Sequence, residues 1–292
     1  MQVSISLPIE EWPSSVDPAA QHEAQAALEA GQVVILPHLG FAIEPEEQVF
    51  LAGGRLDGSR KNISFDPATG TVHGTTAAGA ERERLARMLD RFGRGAEALV
   101  LTLAPGYLGF IKRARASFRP AEIAGREYSP RKDDRRLHVD AFSSRPTHGR
   151  RILRVFTNVA TDGSTRDWLV GEPFESFAAA FLPRLRRPLP GETRVLAWLG
   201  LTKGPRSAYD WLMLGLHDAS KLDAEYQARA PSSALSFPPG CTWLCFTDQV
   251  LHAAMAGHHA LEQTFHLPVE AMAQPALAPL RVLERLEGRR LT

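Results

Sequence analysis

The apolar positions of this chain change their period part-way along it. Residues 19–30 are rich in Ala, Gln and Glu and end at Gly31, and residues 33–36, VVIL, form an unbroken apolar run stopped by Pro37. That pattern predicts a helix closed by glycine and then a strand. Residues 54–80 carry many Gly, Ser, Thr and Asp with little periodicity, as turns or short hairpins do. In 81–92, Leu85, Met88, Leu89 and Phe92 fall at helical spacing. After Gly93 the texture becomes one of short runs cut by Pro, Gly and Asp, and 98–103, 109–118, 152–159 and 194–199 are expected as strands. Helical insertions are expected at 174–185 and 207–229. Near the end, Pro238-Pro239-Gly240 marks a turn, 242–247 a strand, Gly257 a break and 261–269 a last strand.

Many short strands with helices pushed to the ends predict a mainly β fold with flanking helices, a double-stranded β-helix of the jelly-roll, cupin-like kind. One domain is expected over 1–292, with an N-terminal α/β extension to about residue 97, a core over about 98–270 and a tail at 271–292. A 44% hydrophobic and 23% charged composition suits a globular chain. No apolar run is long enough to span a bilayer, and no basic segment leads into an apolar one at the N-terminus, so a cytoplasmic protein is expected. Cys241 and Cys245 share a strand face but lie too far apart to bridge, which predicts two buried thiols.

The net charge of +1 hides an asymmetry: residues 111–154 hold thirteen Lys or Arg against five Asp or Glu. A local positive field of that kind attracts anions. Near-neutral total charge and the lack of a recognised motif argue against nucleic acid.

The sharpest chemical feature is His138-Val139-Asp140, because alternate residues of a strand share a face and can both aim at one ion. Far downstream, residues 239–253 read as a turn, a hydrophobic strand and then His252-Ala253. Two neutral imidazoles and one carboxylate on one triangular face leave adjacent positions for a bidentate keto acid and dioxygen, the arrangement of a ferrous oxygenase. The order also argues against zinc hydrolases that place two histidines on one helix. His258, His259 and His266 compete with His252 for the distal place, and His148 sits in the loop after the first motif.

At these residues the chain resembles the iron(II)- and 2-oxoglutarate-dependent dioxygenases. Residues 135–149 (RRLHVDAFSSRPTHG), 152–159 (ILRVFTNV) and 261–268 (LEQTFHLP) are similar to the Kdo hydroxylase family. That resemblance implies Fe(II) held by His138, Asp140 and His252, 2-oxoglutarate and O2 as cosubstrates, and hydroxylation at carbon 3 of a 3-deoxy-D-manno-oct-2-ulosonic acid (Kdo) residue on a lipid A-type glycolipid, forming Ko. Residues 260–268 contain no Arg or Lys, where many relatives of the wider superfamily bind the far carboxylate of 2-oxoglutarate. Arg154, in an apolar strand where an unpaired cation would be expensive, is the expected substitute, with Thr264, Gln263 and Asn158 adding hydrogen bonds. Arg135, Arg136, Arg145 and Arg151 are candidates for gripping the anionic sugar. Trp168 and Tyr128 are expected in the core rather than stacked on a sugar. The competing readings are an oxygenase of another small anionic or lipid substrate and a cupin-like sugar-binding module or isomerase. The helix at 174–185, ending in Arg184, Arg186 and Arg187, is the candidate for peripheral inner-membrane contact, though packing on the barrel is the preferred reading.

Overall fold

Alternation along the strands divides the molecule. The computed structural model describes residues 2–12, 15–58, 61–125, 128–189 and 191–292. Its strands are β1 (Ser4–Ser6), β2 (Val33–Leu36), β3 (Ile63–Asp66), β4 (Thr71–His73), β5 (Lys112–Arg119), β6 (Arg151–Asn158), β7 (Arg166–Val170), β8 (Ser233–Phe237), β9 (Thr242–Phe246), β10 (His252–Ala256) and β11 (Ala260–Leu267). Eight of them form one sheet in the order β1-β2-β9-β6-β11-β5-β3-β4, and β10-β7-β8 form a second. The large sheet is buried on both faces. Leu153 and Val155 of β6 with Leu244 and Phe246 of β9 pack under the helices, while Phe156, Trp243 and Cys245 pack with Trp168, Val170 and Phe237 of the small sheet. This is the expected jelly roll.

The helical cover is α1 (Pro18–Glu29) and α2 (Gly79–Leu103). The side chain of Asp17 caps α1 by accepting from the amides of Ala19 and Ala20. Residues 98–103 are the last turns of α2 and not a strand. Leu99, Val100 and Leu103 continue the buried stripe of Leu85, Met88, Leu89 and Phe92, and a six-residue apolar run has no period of its own to tell the two apart. Gly93, which reads as a break, is a packing glycine: a Cβ there would collide with Gln263 Oε1 on β11. Helix α2 therefore crosses the expected boundary near residue 97. The N-terminal strands extend the same sheet at both ends, and within 54–80, apart from residues 59 and 60 outside the described set, β3 and β4 form a hairpin.

Residues 194–199 are likewise not a strand: 194–198 lie in helix α4 (Glu192–Trp198) and Leu199 is its C-cap. The other helices are α3 (Phe174–Phe181), α5 (Ala208–Leu222), α6 (Ala224–Arg229) and α7 (Pro279–Glu287). In α3, Phe174, Phe177, Ala178 and Phe181 are buried, so the apolar face of 174–185 packs inward. Both cysteines are free and buried, and burial pushes the Cys241 thiol up to about 12.

Candidate metal centre

The site forms where the chain crosses from one sheet to the other. Segment 134–140 runs extended beside β10: Ala254 N donates to Asp134 O at 2.8 Å, His138 and His252 pair as an isolated antiparallel bridge, and Asp140 N donates to Thr247 O at 2.8 Å. Two-residue alternation turns the side chains of His138 and Asp140 to one side, facing His252 at the start of β10. One ligand atom from each lies within 4.8 Å of the others. Among the described residues this is the cluster of His and carboxylate groups able to hold a metal.

The surroundings prepare these groups for an ion. His138 Nδ1 lies 2.7 Å from Arg136 O and His252 Nδ1 2.9 Å from Val250 O. A carbonyl accepts only from N–H, so both rings carry the proton on Nδ1 and turn a bare Nε2 to the cluster. Burial lowers both imidazoles, His138 far below the ordinary range, so they stay neutral. Burial alone would raise the Asp140 carboxyl, but the Arg154 guanidinium outweighs it and holds the group well below the usual carboxylate range. Asp140 Oδ2 is buried with no aligned hydrogen-bond donor, although Arg154 Nη2 is 3.1 Å away. Two neutral nitrogens and an ionised oxygen with a lone pair to spare fit a divalent first-row metal. Trp168 stacks on the His252 ring at 5.1 Å between centroids, locking its plane.

Arg154 projects from the middle of β6 between two carboxylates, Nη2 on Asp140 and Nη1 3.3 Å from Glu262 Oε1. Glu262 is also bonded by Arg119, so charges alternate along Asp140, Arg154, Glu262 and Arg119. Beyond Arg154 and Glu262 opens a cavity of about 390 Å³ lined also by Lys61, Arg115, Arg119, Phe142, Arg145, Thr264 and His266. Thr264 and Arg145 both line this cavity.

Other expected contributors face elsewhere. Gln263, next to Thr264, points from the opposite side of β11 and donates to the carbonyls of Ala114 and Thr264, so it is no part of the cavity. Neighbouring strand residues cannot share a face. Asn158 is a rivet between loops, donating to Ser164 O and Phe237 O and accepting from Ala160 N. Arg151, three residues before Arg154, lies on the helix side of β6, fully buried against Asp248 at 2.8 Å and over the Phe246 ring, and cannot grip a ligand. Arg136 donates to Lys221 O, while Arg135 pairs with Asp133 beside a narrow pocket that adjoins the cavity at Lys61 and Arg119. His258 pairs with Asp162 and His148 with Asp210, and both stand apart from the triad. Tyr128 holds Lys61 over its ring. Glu262 and Arg119 escaped the sequence reading, although Glu262, Thr264 and His266 sit at alternate positions of one strand.

A family model described as 3-deoxy-D-manno-oct-2-ulosonic acid (Kdo) hydroxylase matches residues 11–290. This chain belongs to the Kdo hydroxylase family. It is similar to the crystal structure of the Kdo hydroxylase KdoO, a non-haem Fe(II) α-ketoglutarate-dependent dioxygenase, in complex with α-ketoglutarate and Fe(III): 44% identity over 100% of this chain and 98% of that one, TM-score 0.96. The cobalt(II) complex of KdoO superimposes with a TM-score of 0.97 at 45% identity, covering 99% of this chain and 97% of that one. A search of curated proteins finds no match. As a Kdo hydroxylase family protein the chain is an oxidoreductase of the iron- and 2-oxoglutarate-dependent dioxygenase class, and the jelly roll and the His-Asp-His cluster are the structural counterparts of that class.

Proposed function

We propose that this chain hydroxylates a Kdo residue carried on a lipid A-type glycolipid, forming Ko, with His138, Asp140 and His252 as the iron ligands. The observation that carries the reading is the triad of neutral His Nε2 atoms and ionised Asp140 placed behind a cationic cavity. Iron(II), when bound there, supplies the activation of dioxygen that is coupled to decarboxylation of 2-oxoglutarate.

The protein supplies position and charge. The backbone carbonyls of Arg136 and Val250 fix both imidazole tautomers. Arg154 keeps Asp140 ionised and lines the cavity, where it, turning from Glu262, and Thr264 receive the distal carboxylate of the keto acid. Lys61, Arg115 and Arg145, nearer the opening, receive the carboxylate and phosphates of the glycolipid by charge-assisted hydrogen bonds. Phe142 and His266, edge to face at 6.1 Å, give the cavity an aromatic wall.

The test is anaerobic addition of ferrous iron and 2-oxoglutarate to the metal-free protein. A visible charge-transfer band that disappears in His138→Ala is expected, followed by turnover of Kdo-lipid A with release of succinate. A well-folded wild type that develops no band would overturn the reading.

A further inference from the structure

Among the described residues, half of the exposed large apolar side chains fall between α3 and α5. Leu189, Val195, Trp198, Leu199 and Leu201 are all exposed, Trp198 at 84%, and α4 buries none of its residues. Burying such side chains is favourable, and a contiguous apolar patch left in water marks an interaction surface. The same stretch is cationic. Residues 184–206 hold six Lys or Arg and a single acid, Glu192, which Arg186 occupies. Among the described residues Arg194 and Lys203 have no carboxylate partner, and Arg187 is mostly exposed. Apolar side chains, a Trp among them, interleaved with arginines and lysines are the composition of elements that lie in the headgroup region of a bilayer.

The patch adjoins the catalytic opening. Lys203 N donates to Ser144 O at 2.9 Å and Arg206 Nη2 to Ser143 O at 2.6 Å, and these serines lie between Phe142 and Arg145, which line the cavity. We propose that Leu189 and residues 191–203 dock on an anionic lipid bilayer and so hold the cavity mouth at the membrane surface, where a lipid-linked sugar would enter. This rests on the reading that the substrate is lipid-linked. It replaces the helix at 174–185 as the membrane element, since the phenylalanines of α3 are buried. A second copy is the poorer occupant. An isologous dimer would set the same cationic patch against itself, whereas an anionic surface is complementary to it.

The experiment is flotation of the metal-loaded protein with vesicles of phosphatidylethanolamine and phosphatidylglycerol, and with vesicles of phosphatidylcholine alone. The wild type floats with the anionic vesicles, less so as salt rises, and not with the neutral ones. The pairs Trp198→Ser/Leu201→Ser and Arg194→Glu/Lys203→Glu each reduce partitioning by roughly tenfold to a hundredfold, with unchanged melting temperature and an unchanged iron–keto acid absorption band. Wild-type protein that stays in the soluble fraction overturns the proposal. So does light scattering that finds a dimer which Trp198→Ser dissociates, because the patch is then covered by a second copy. Flotation reads no turnover, so the two readings fail separately. Vesicle binding without Kdo hydroxylation keeps the surface and refutes the substrate, and turnover of detergent-dispersed glycolipid without vesicle binding does the reverse.

Discussion

His138 and His252, more than a hundred residues apart, exchange both backbone hydrogen bonds, His138 N donating to His252 O at 3.1 Å and His252 N to His138 O at 2.9 Å. The two imidazoles are therefore neighbours because their peptides are, with ring centroids 4.6 Å apart. Backbone pairing does not depend on the side chain. His138→Ala and His252→Ala should each keep the fold, seen as an unchanged far-ultraviolet circular dichroism spectrum, and lose cobalt(II) binding in a calorimetric titration. Binding that survives either substitution would move the metal site elsewhere.

Two arginines on opposite faces of β6 should separate function from stability. Arg151→Met strands the buried carboxylate of Asp248, which burial raises despite its partner, and should cost about 3–5 kcal/mol of folding stability without altering the KM for 2-oxoglutarate. Arg154→Lys keeps a charge between Asp140 and Glu262 but loses the planar fork. Its KM for 2-oxoglutarate should rise by about tenfold or more. Thermal unfolding and steady-state kinetics on both variants decide it, and an Arg154→Lys enzyme with wild-type KM would remove Arg154 as the anchor.

Trp168 is buried between the two sheets and stacks on His252, so its effect should reach the metal without contact. Trp168→Ala should destabilise the protein by about 3–5 kcal/mol and weaken metal binding by roughly tenfold to a hundredfold. Trp168→Phe, which keeps a stacking ring, should recover most of the affinity. Equal metal affinity in all three proteins would show that the stack orients nothing.

The metal-free protein should lose stability in two separate acid windows. Burial lowers His138, His252, His259 and His266 beneath their ordinary 6.5, so an unfolded chain takes up protons there that the folded one refuses. This contribution is complete above that value and is lost as the pH falls below it. Burial would raise Asp134, but Arg119 and Lys61 outweigh it and hold it at about 2, so its contribution is present above the ordinary 3.8 and lost only as the pH falls toward 2. Melting temperature against pH should decline from about pH 6.5, well before Asp134 titrates. A flat profile down to about pH 5 would contradict the burial of these imidazoles.

Gly93→Ala should strain the contact between α2 and β11, where the new Cβ meets Gln263 Oε1 and the Arg113 guanidinium. A loss of about 1–3 kcal/mol is expected in chemical denaturation, although alanine favours a helix in isolation. A stabilised variant would mean that Gln263 yields.

From its residues alone this chain declared a jelly roll, the His138-x-Asp140 pair and the distal His252, because strand alternation and the turn-strand-His order are local patterns. Sequence also placed Arg154 in an apolar strand. Only the tertiary structure decided what each strand face meets. Arg151 and Arg154 are both arginines of β6, yet the odd spacing sends one to Asp248 under the helices and the other to Asp140 at the metal site. The same parity excluded Gln263 and revealed Glu262, whose partners Arg119 and Arg154 come from two other strands. Residues 98–103 and 194–199 went wrong for a related reason. Short apolar runs carry no period, so a helix packed across a sheet and a helix left bare on the surface look alike until neighbours are known.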